Sequence, residues 1–342
     1  MKFLLILLFF LLSASAFAFS ITGSTKANVI LKPQATEAEK YGAKEFVRYI
    51  KEISGADLKI LETPEKGNNI FIGQSDSAKK ICGISDWASL DRDEIIIFAK
   101  GNNMVLAGGK GSGTIYAVYE FLDTYLGVKF ITCDDEYIPK IKNIKIDNIN
   151  IKYKSPFMSR ESFFKQMNEH PDYCLKLKTN GHFNNIAPEL GGHVELLGWA
   201  HTFDTYISKD IYGEKHPEWF AERGGKRLNK EYSQLCISNQ EMVKEMTKNV
   251  LETLSKHPDT RIISLTQNDN QSFCECENCK ALTEKYGHSG ALLTAINQVA
   301  DAVKEKYPDT LVETFAYNYT RWAPKGDIVP RDNVINRLCS IE

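Results

Sequence analysis

The segment Gly108–Ile131 constrains the fold of this chain more than any other part of the sequence. It places four glycines within its first six residues, and apolar side chains then recur at helical spacing over residues 115–126. Gly127 ends this helix, and a short apolar run follows it. A nucleotide-binding loop would need Gly-Lys-Ser or Gly-Lys-Thr to open the helix, whereas Lys110 is followed by Gly111. The segment therefore predicts a turn, a helix and a strand of an α/β domain, and it argues against a phosphate-binding loop.

The same alternation of strands and helices extends over residues 28–151. Thr36 and Glu39 match a capping box, in which each side chain accepts from the other residue's free amide. The helix that follows is predicted to run to about Ile53, and Gly55 stops it. Short apolar runs bounded by Gly, Asn and Asp predict strands at 28–32, 58–61, 69–72, 94–99 and 104–107. With the helix at 115–126, the pattern predicts a compact α/β domain with two helices over a mixed sheet.

Three segments of this domain carry a family resemblance: Tyr41–Ala43, Ile70–Gly73 and Gly108–Ile131. On these segments, residues 28–151 resemble the N-terminal domain of the α-glucuronidases and β-hexosaminidases, the hexosaminidase-like domain 2. The resemblance implies a small α/β sandwich that supports a barrel and carries no catalytic residue. We expect this accessory domain to span residues 19–152.

The first 18 residues have the features of a cleavable signal peptide. Lys2 supplies a positive charge, Phe3–Leu12 is an unbroken apolar run, and Ala16–Ala18 fits a cleavage site. The apolar run is shorter than the roughly 20 residues that a spanning helix needs; an uncleaved anchor is the alternative. The chain is predicted to be secreted or periplasmic, with cleavage near Ala18 and no stable membrane span. Its formal net charge of −2 excludes a general electrostatic attraction to nucleic acid.

Residues 155–342 again alternate between strands and helices. The predicted strands lie at 157–160, 183–187, 197–203, 261–266, 311–317 and 333–341, with helices at 240–254 and 290–306. Repeated strand–helix units predict a parallel sheet. A barrel of eight units takes about 250 residues, whereas 188 residues follow Lys154. We therefore predict a (β/α)8 TIM-type barrel that is incomplete at the C-terminus in this chain, with a complete open sheet as the alternative.

Several motifs in this second region carry a further resemblance. They are His201–Phe203, His216–Phe220, Gly225–Arg227, Gln234–Ile237, Ser264–Asp269 and Cys274–Cys279. On these motifs, residues 157–342 resemble the secreted glycosidase-like family named domain of unknown function 4838. The family is related to α-glucuronidases at the level of fold, and its motifs define no substrate.

Asp269 is the best candidate for a catalytic carboxyl. It ends the fourth predicted strand, and barrel enzymes place their active-site residues at the carboxyl ends of strands. A carboxyl there could protonate a glycosidic oxygen if burial keeps it protonated; alternatively, Asp269 caps a loop. A second carboxyl is usually needed. Glu342, at the end of the sixth predicted strand, is our candidate, and Glu313 within the fifth strand is an alternative.

Polar and aromatic residues near the other strand ends are candidates for substrate binding. They are Arg160, Asn184, His201, Asn268, Tyr317 and Trp322. Arg160 could bind a sugar carboxylate or hydroxyls, or form an ion pair within the protein. His201 could hydrogen-bond a sugar hydroxyl, or be satisfied inside the protein. Tyr317 and Trp322 could form a stacking platform, or simply pack.

Three clustered cysteines, Cys274, Cys276 and Cys279, have the spacing of half a zinc site. A fourth ligand such as Cys236, His193 or His288 would be required. In an exported protein the alternative is a disulfide, from Cys279 to a distant cysteine such as Cys236, because pairing within Cys-x-Cys is strained. The predicted chemistry requires no cofactor, and a structural zinc ion remains one of these two alternatives.

These observations predict a glycoside hydrolase-like protein that hydrolyses O-glycosidic bonds in a polysaccharide or glycan, uronic-acid polymers included. The alternative is a non-catalytic carbohydrate-binding protein on a barrel scaffold, because a barrel hosts many activities. A third alternative is that this chain is inactive alone, since an open barrel exposes strand edges. A carbohydrate is the predicted partner in the first two cases, and the sequence leaves the oligomeric state open.

Overall fold

The computed structural model describes residues 19–22, 27–228 and 233–340 of the chain. The chain divides into two compact units, residues 1–193 and 194–342. The predicted signal peptide and Glu342 lie outside the described residues. Among the described helices, none combines the length and the apolar character that crossing a bilayer requires.

The first unit contains most of the strands. They are β1 (Phe19–Thr22), β2 (Ala27–Ile30), β3 (Lys59–Leu61), β4 (Asn68–Ile72), β5 (Ile95–Lys100), β6 (Asn103–Gly108), β7 (Lys129–Phe130), β8 (Glu136–Tyr137), β9 (Asn143–Ile146) and β10 (Ile149–Tyr153). Its helices are α1 (Glu37–Ser54), α2 (Asp76–Cys82), α3 (Gly113–Thr124), α4 (Lys165–Glu169) and α5 (Pro171–Lys176).

Six of these strands form one mixed sheet, in the order β10-β5-β6-β4-β2-β3. Strands β3, β2, β4 and β6 run parallel, while β5 and β10 are antiparallel to their neighbours. Along β4, Ile70 and Ile72 join the core shared with α1 and α3, and Phe71 packs on the opposite face with Ala78 of α2. Because successive side chains of a strand point to opposite faces, the sheet is covered on both. The predicted mixed sheet with two helices is confirmed, and α2 adds a cover on the second face.

The first helix begins and ends where the sequence predicts. The amide of Glu39 donates to Thr36 Oγ1 at 3.2 Å, and the amide of Thr36 donates to Glu39 Oε2 at 2.8 Å. Gly55 terminates the helix with a φ of 76°, a left-handed conformation that glycine adopts without strain. The capping box is therefore confirmed.

The glycine-rich turn before α3 packs against the residues that lead into β5. The amide of Gly109 donates to the carbonyl of Glu94 at 2.9 Å, and the amide of Gly111 donates to the carbonyl of Arg92 at 2.8 Å. A Cβ atom on Gly109 would lie 1.7 Å from the carbonyl oxygen of Asp91. The glycines thus allow two backbone segments to approach each other more closely than any side chain permits.

Replacing Gly109 with alanine is expected to lower the free energy of unfolding by about 3 kcal/mol, because the new methyl group collides with backbone that cannot move aside. The matched control is Gly101→Ala in the β5–β6 turn, where a Cβ atom would have no other atom within 4 Å but φ is +58°. That change should cost only about 1 kcal/mol. Urea unfolding of both variants measures the difference, and equal losses would contradict the packing argument.

The second unit has shorter strands and longer helices. Its strands are β11 (Leu196–Leu197), β12 (Glu222–Arg223), β13 (Lys226–Arg227), β14 (Ile262–Ser264), β15 (Leu311–Ala316) and β16 (Val334–Leu338). Its helices are α6 (Phe203–Tyr206), α7 (Lys209–Tyr212), α8 (Gln240–Lys256) and α9 (Glu277–Lys306).

Four strands of this unit form a parallel sheet, in the order β11-β14-β15-β16. Helix α8 precedes β14 and α9 precedes β15, and both bury apolar side chains such as Met246 and Ile296 against Ile263 and Val312 of the sheet. Between β15 and β16 the chain has a 3-10 turn, Asn318–Thr320, in place of a helix. The parallel strand–helix pattern is confirmed. Within the described residues the sheet is open, and no closed barrel is formed. Helix α9 is interrupted at Gly287, where φ is 73° and ψ is 171°.

Two strands predicted for the start of the second region are absent from the described residues. Residues 157–160 adopt no regular structure, and residues 182–184 form a 3-10 turn in place of the strand predicted at 183–187. Asn185 is left-handed, with a φ of 50°, and Pro188 opens another 3-10 turn. Asn and Pro favour such turns, so the short apolar runs that suggested strands were misleading.

The third predicted strand, at 197–203, is largely wrong as well. Only Leu196–Leu197 pairs with the sheet, and α6 already begins at Phe203. Gly198, Trp199 and His201 between them all have positive φ, so the chain turns away from the sheet directly after two residues.

Candidate active site at the carboxyl ends of the parallel strands

The parallel strands of the second unit all end at one edge of their sheet. Trp199 and His201 follow β11, Asn268 and Asp269 follow β14, and Tyr317 follows β15. In open and closed α/β sheets, ligands bind at this carboxyl edge. The predicted residues of the third, fourth and fifth strand ends are thus brought to the same edge.

The backbone at this edge is strained. Of the five described non-glycine residues with positive φ, three lie here: Trp199 at 57°, His201 at 54° and Asn318 at 57°. Such conformations cost on the order of 1 kcal/mol or more each and concentrate at functional sites. The sequence pattern carries no signal for Trp199, because bulky residues rarely adopt this conformation, whereas histidine and asparagine adopt it more often than most residues.

Asp269 is exposed at the edge and is held by a tyrosine. Its Oδ1 atom accepts a hydrogen bond from the hydroxyl of Tyr317 at 2.7 Å. This hydrogen bond raises the pKa of the Tyr317 hydroxyl, so the hydroxyl stays a donor through the neutral pH range. The pair places an oriented carboxyl and a phenol side by side where a ligand can reach both.

The side chain of Gln234 holds the loop that carries Asp269 through hydrogen bonds to its backbone. The Nε2 atom of this buried side chain donates to the carbonyls of Asn268 at 2.7 Å and Asn270 at 2.9 Å. Its Oε1 atom accepts from the amide of Asn268 at 3.2 Å. The side chain of Asn268 is itself buried and donates to the carbonyl of Ser233 at 2.9 Å. Asn268, predicted to bind substrate, therefore contributes to the support of the loop.

His201 packs between the loop and the aromatic residues of β15. Its Nδ1 atom lies 2.8 Å from the carbonyl oxygen of Gln267, and its ring is 5.8 Å from Phe315 and 5.9 Å from Tyr317. A carbonyl can only accept, so this contact requires a proton on Nδ1 and, in the neutral ring, leaves Nε2 as an acceptor.

A buried ion pair lies in the same sheet. Nη2 of Arg337 donates to Oε2 of Glu313 at 2.8 Å, and the Glu313 side chain is 4% exposed. The guanidinium also lies over the ring of Trp199, 4.7 Å from its centroid. Sequence reasoning named Glu313 as an alternative second carboxyl and missed Arg337. The only available signal was the presence of Arg337 in the last predicted strand, and the sequence did not show to which face of the sheet its side chain points.

Two predicted substrate-binding residues, Arg160 and Asn184, belong to the first unit. Arg160 donates to the carbonyls of Lys178 and Phe157, and its Nη2 lies 3.4 Å from Oδ2 of Asp93. Asn184 is buried, and its Oδ1 accepts from the amide of Gly181 at 2.7 Å. The contact of Arg160 with Asp93 fits the second alternative considered for this residue, an ion pair within the protein.

Trp322 is largely exposed, with 72% of its surface accessible. The guanidinium of Arg321 lies 4.9 Å from the centre of its ring. Trp322 also lines a cleft in the second unit, together with Phe315 and Asn336. An aromatic face at the side of a cleft is suited to stacking against a sugar ring.

The four predicted cysteines lie together. The Sγ atoms of Cys236, Cys274, Cys276 and Cys279 are all within 4.8 Å of one another, and all four are free thiols. Hydrogen bonds with Cys274 and Cys279 lower the pKa of Cys236, and the same contacts raise the pKa values of those two residues. His288, considered as a fourth ligand, instead packs against Phe273 at 4.2 Å.

The fold and this edge define a mixed α/β protein in which polar and aromatic side chains meet at the carboxyl ends of parallel strands. The chain belongs to the family described as domain of unknown function (DUF4838), whose profile matches residues 130–342. This confirms the resemblance stated for the second region. A comparison with curated proteins gives no match.

Solved structures similar to this chain include three glycoside hydrolases. One is a family GH115 4-O-methyl-α-glucuronidase with specificity for decorated arabinogalactans, at 9% identity, a TM-score of 0.47, and coverage of 89% of this chain and 43% of that one. The second is a mutant β-hexosaminidase of Streptomyces plicatus in complex with its product, at 9% identity, a TM-score of 0.46 and coverage of 94% and 66%. The third is the GH20 β-N-acetylhexosaminidase of Streptomyces coelicolor A3(2), at 10% identity, a TM-score of 0.46 and coverage of 94% and 67%. This chain spans less than half of the glucuronidase's length.

Proposed function

We propose that this protein is a glycoside hydrolase that cleaves O-glycosidic bonds in a polysaccharide or glycan, with Asp269 as the general acid. The observation that carries the proposal is the hydrogen bond between Tyr317 and Asp269 at the carboxyl edge of the parallel sheet. A general acid needs an oriented carboxyl that the glycosidic oxygen can approach. Asp269 meets the requirements of orientation and access, because it is exposed and accepts a hydrogen bond from Tyr317. The described residues do not bury the carboxyl, so we propose that a bound sugar excludes water from it and thereby favours its protonated form.

The surrounding side chains supply the contacts that a sugar needs. His201 can accept a hydrogen bond from a sugar hydroxyl at Nε2 when its Nδ1–H donates to the carbonyl of Gln267. Trp322 offers an exposed ring at the side of a cleft. We propose that the four parallel strands are part of a (β/α)8 TIM-type barrel.

Hydrolysis by a general acid also needs a second carboxyl. Glu313 is buried and engaged by Arg337, so it is placed to support the site electrostatically. Glu342 remains our proposed partner for Asp269 and lies outside the described residues. We further propose that the protein acts outside the cytoplasm, on the strength of the signal-peptide pattern in residues 1–18.

A carbohydrate-binding protein without turnover is the second candidate. The observation that favours it is the cleft beside Trp322, which could hold a sugar by stacking alone. Such a protein would bind the same polymers and leave them intact.

The test uses the whole chain and a panel of aryl glycosides and uronic-acid oligosaccharides. Release of the aryl alcohol or of a shortened oligosaccharide would support hydrolysis. Binding measured by calorimetry without any cleavage would overturn hydrolysis and support the binding protein. If the chain neither cleaves nor binds any member of the panel, both proposals fail.

A further inference from the structure

The cysteine cluster gathers thiols from two separate segments of the second unit. Cys236 lies 38 residues before Cys274, beyond the β12–β13 hairpin, whereas Cys274 and Cys276 belong to the loop after β14 and Cys279 lies in the first turn of α9. All four side chains are free thiols, and three of them are buried. Their meeting is therefore a product of the tertiary fold and not of local spacing alone.

The distances between the sulfur atoms fit a tetrahedral metal site. Sγ of Cys236 lies 3.7 Å from Sγ of Cys276 and 3.8 Å from Sγ of Cys279. Four sulfurs placed tetrahedrally at about 2.3 Å from a zinc ion are separated by about 3.8 Å. A disulfide would require a sulfur–sulfur distance of about 2.05 Å. These two separations match the edges of a zinc–thiolate tetrahedron and are far longer than a disulfide bond, and all four sulfur atoms lie within 4.8 Å of one another.

The environment of the cluster suits a negatively charged centre. When four thiols bind Zn²⁺ they release four protons, and the resulting centre carries a charge of about −2. The amide of Glu222 points at Sγ of Cys274 from 3.3 Å, and the hydroxyl of Ser238 lies 3.1 Å from Sγ of Cys279. Nη1 of Arg227 is 3.9 Å from Sγ of Cys274. These groups provide the donors and the positive charge that stabilise metal-bound thiolates.

We propose that Cys236, Cys274, Cys276 and Cys279 bind one structural Zn²⁺ ion. Four thiolates satisfy tetrahedral coordination completely and leave no open position for water or substrate, so the ion has no direct part in chemistry. Its role is mechanical. It fastens the loop that follows Asp269 to the segment after the β12–β13 hairpin and to the start of α9, and so fixes where the strand end and its carboxyl lie.

The deciding measurement is the metal content of the whole chain, purified without chelator and analysed by mass spectrometry of the elements. We expect one zinc ion per chain. Substitution with Co²⁺ should produce the visible absorption bands of a tetrahedral thiolate complex. Removal of the metal by a strong chelator under reducing conditions should lower the melting temperature by on the order of 10 °C, and added Zn²⁺ should restore it.

Cys279→Ser should abolish stoichiometric zinc binding, with Cys82→Ser as the matched control. Cys82 is a half-buried thiol of α2 in the first unit, and its sulfur donates to the carbonyl of Ala78, a bond that serine can replace. If the Cys279 variant does not fold, the metal content of the unmodified chain still decides. Intact-mass evidence for a disulfide among the four cysteines, iron in place of zinc, or free thiols that ignore added Zn²⁺ would each overturn the proposal.

Discussion

Asp269→Asn is expected to lower kcat/KM for glycoside cleavage by about 10²- to 10⁴-fold, the range typical for loss of a general acid. The amide keeps the shape of the carboxyl and can still meet the hydroxyl of Tyr317, which donates to Oδ1 at 2.7 Å. It cannot deliver a proton to the leaving group. The loss should shrink for aryl glycosides whose leaving group departs without protonation, and this dependence separates a general acid from a residue that only shapes the site.

Asp259→Asn is the matched control for this experiment. Asp259 is likewise an exposed aspartate, in the turn before β14, at the opposite end of the strand from Asp269. Its replacement should leave turnover unchanged. Wild-type activity in both variants would remove Asp269 from the proposed mechanism. Equal losses of activity in the two variants would indicate a general effect on stability.

Arg337→Met is expected to lower the free energy of unfolding by about 3 kcal/mol, because it removes the guanidinium that compensates a buried carboxylate. Glu313 is only 4% exposed, and Oε2 accepts from Nη2 of Arg337 at 2.8 Å. The change also removes the cation from the face of Trp199. Urea unfolding followed by circular dichroism gives the loss directly.

Arg331→Met provides the comparison, since it breaks an ion pair of the same chemistry on the surface. Nε of Arg331 lies 2.8 Å from Oδ1 of Asp301, and both side chains are about half exposed, at 49% and 53%. Solvent-exposed pairs of this kind contribute about 0–1 kcal/mol. Similar losses for Arg331→Met and Arg337→Met would show that burial of Glu313 does not govern the cost.

Residues 28–151 of the first unit could be predicted from the sequence because their main elements are long enough to show a period. Helix α1 has eighteen residues with a capping box at one end and glycine at the other. The strands of the second unit were harder to predict from the sequence, since β11 has only two residues and β14 only three. A run of that length cannot be distinguished from a turn by alternation alone. For that reason, the strand predicted at 197–203 was largely wrong. The strands predicted at 157–160 and 183–187, in the C-terminal part of the first unit, were wrong because apolar runs as short as these also occur in turns.

The candidate site was predictable where strand ends carried polar residues, as at Asp269 and Tyr317. Its supports were not. The hydrogen bonds of Gln234 to the loop after β14 and the pairing of Arg337 with Glu313 depend on which distant segments meet. The same holds for Cys236, which spacing alone left as one of three possible fourth ligands. Local patterns define elements, whereas these contacts are defined by the packing of the whole unit.

The left-handed residues Trp199, His201 and Asn318 bear on how this protein can change over evolution. Each of these residues lowers the free energy of unfolding, because its side chain strains a backbone of positive φ. Glycine would adopt the same backbone conformation without that strain. Selection for heat resistance alone would therefore favour glycine at these positions and remove the side chains that they carry at the carboxyl edge of the sheet. Natural variants that keep these residues are expected to gain stability elsewhere, most simply through substitutions in the surface helices. Their free energy of unfolding should remain below the value that the packing of the core alone would give.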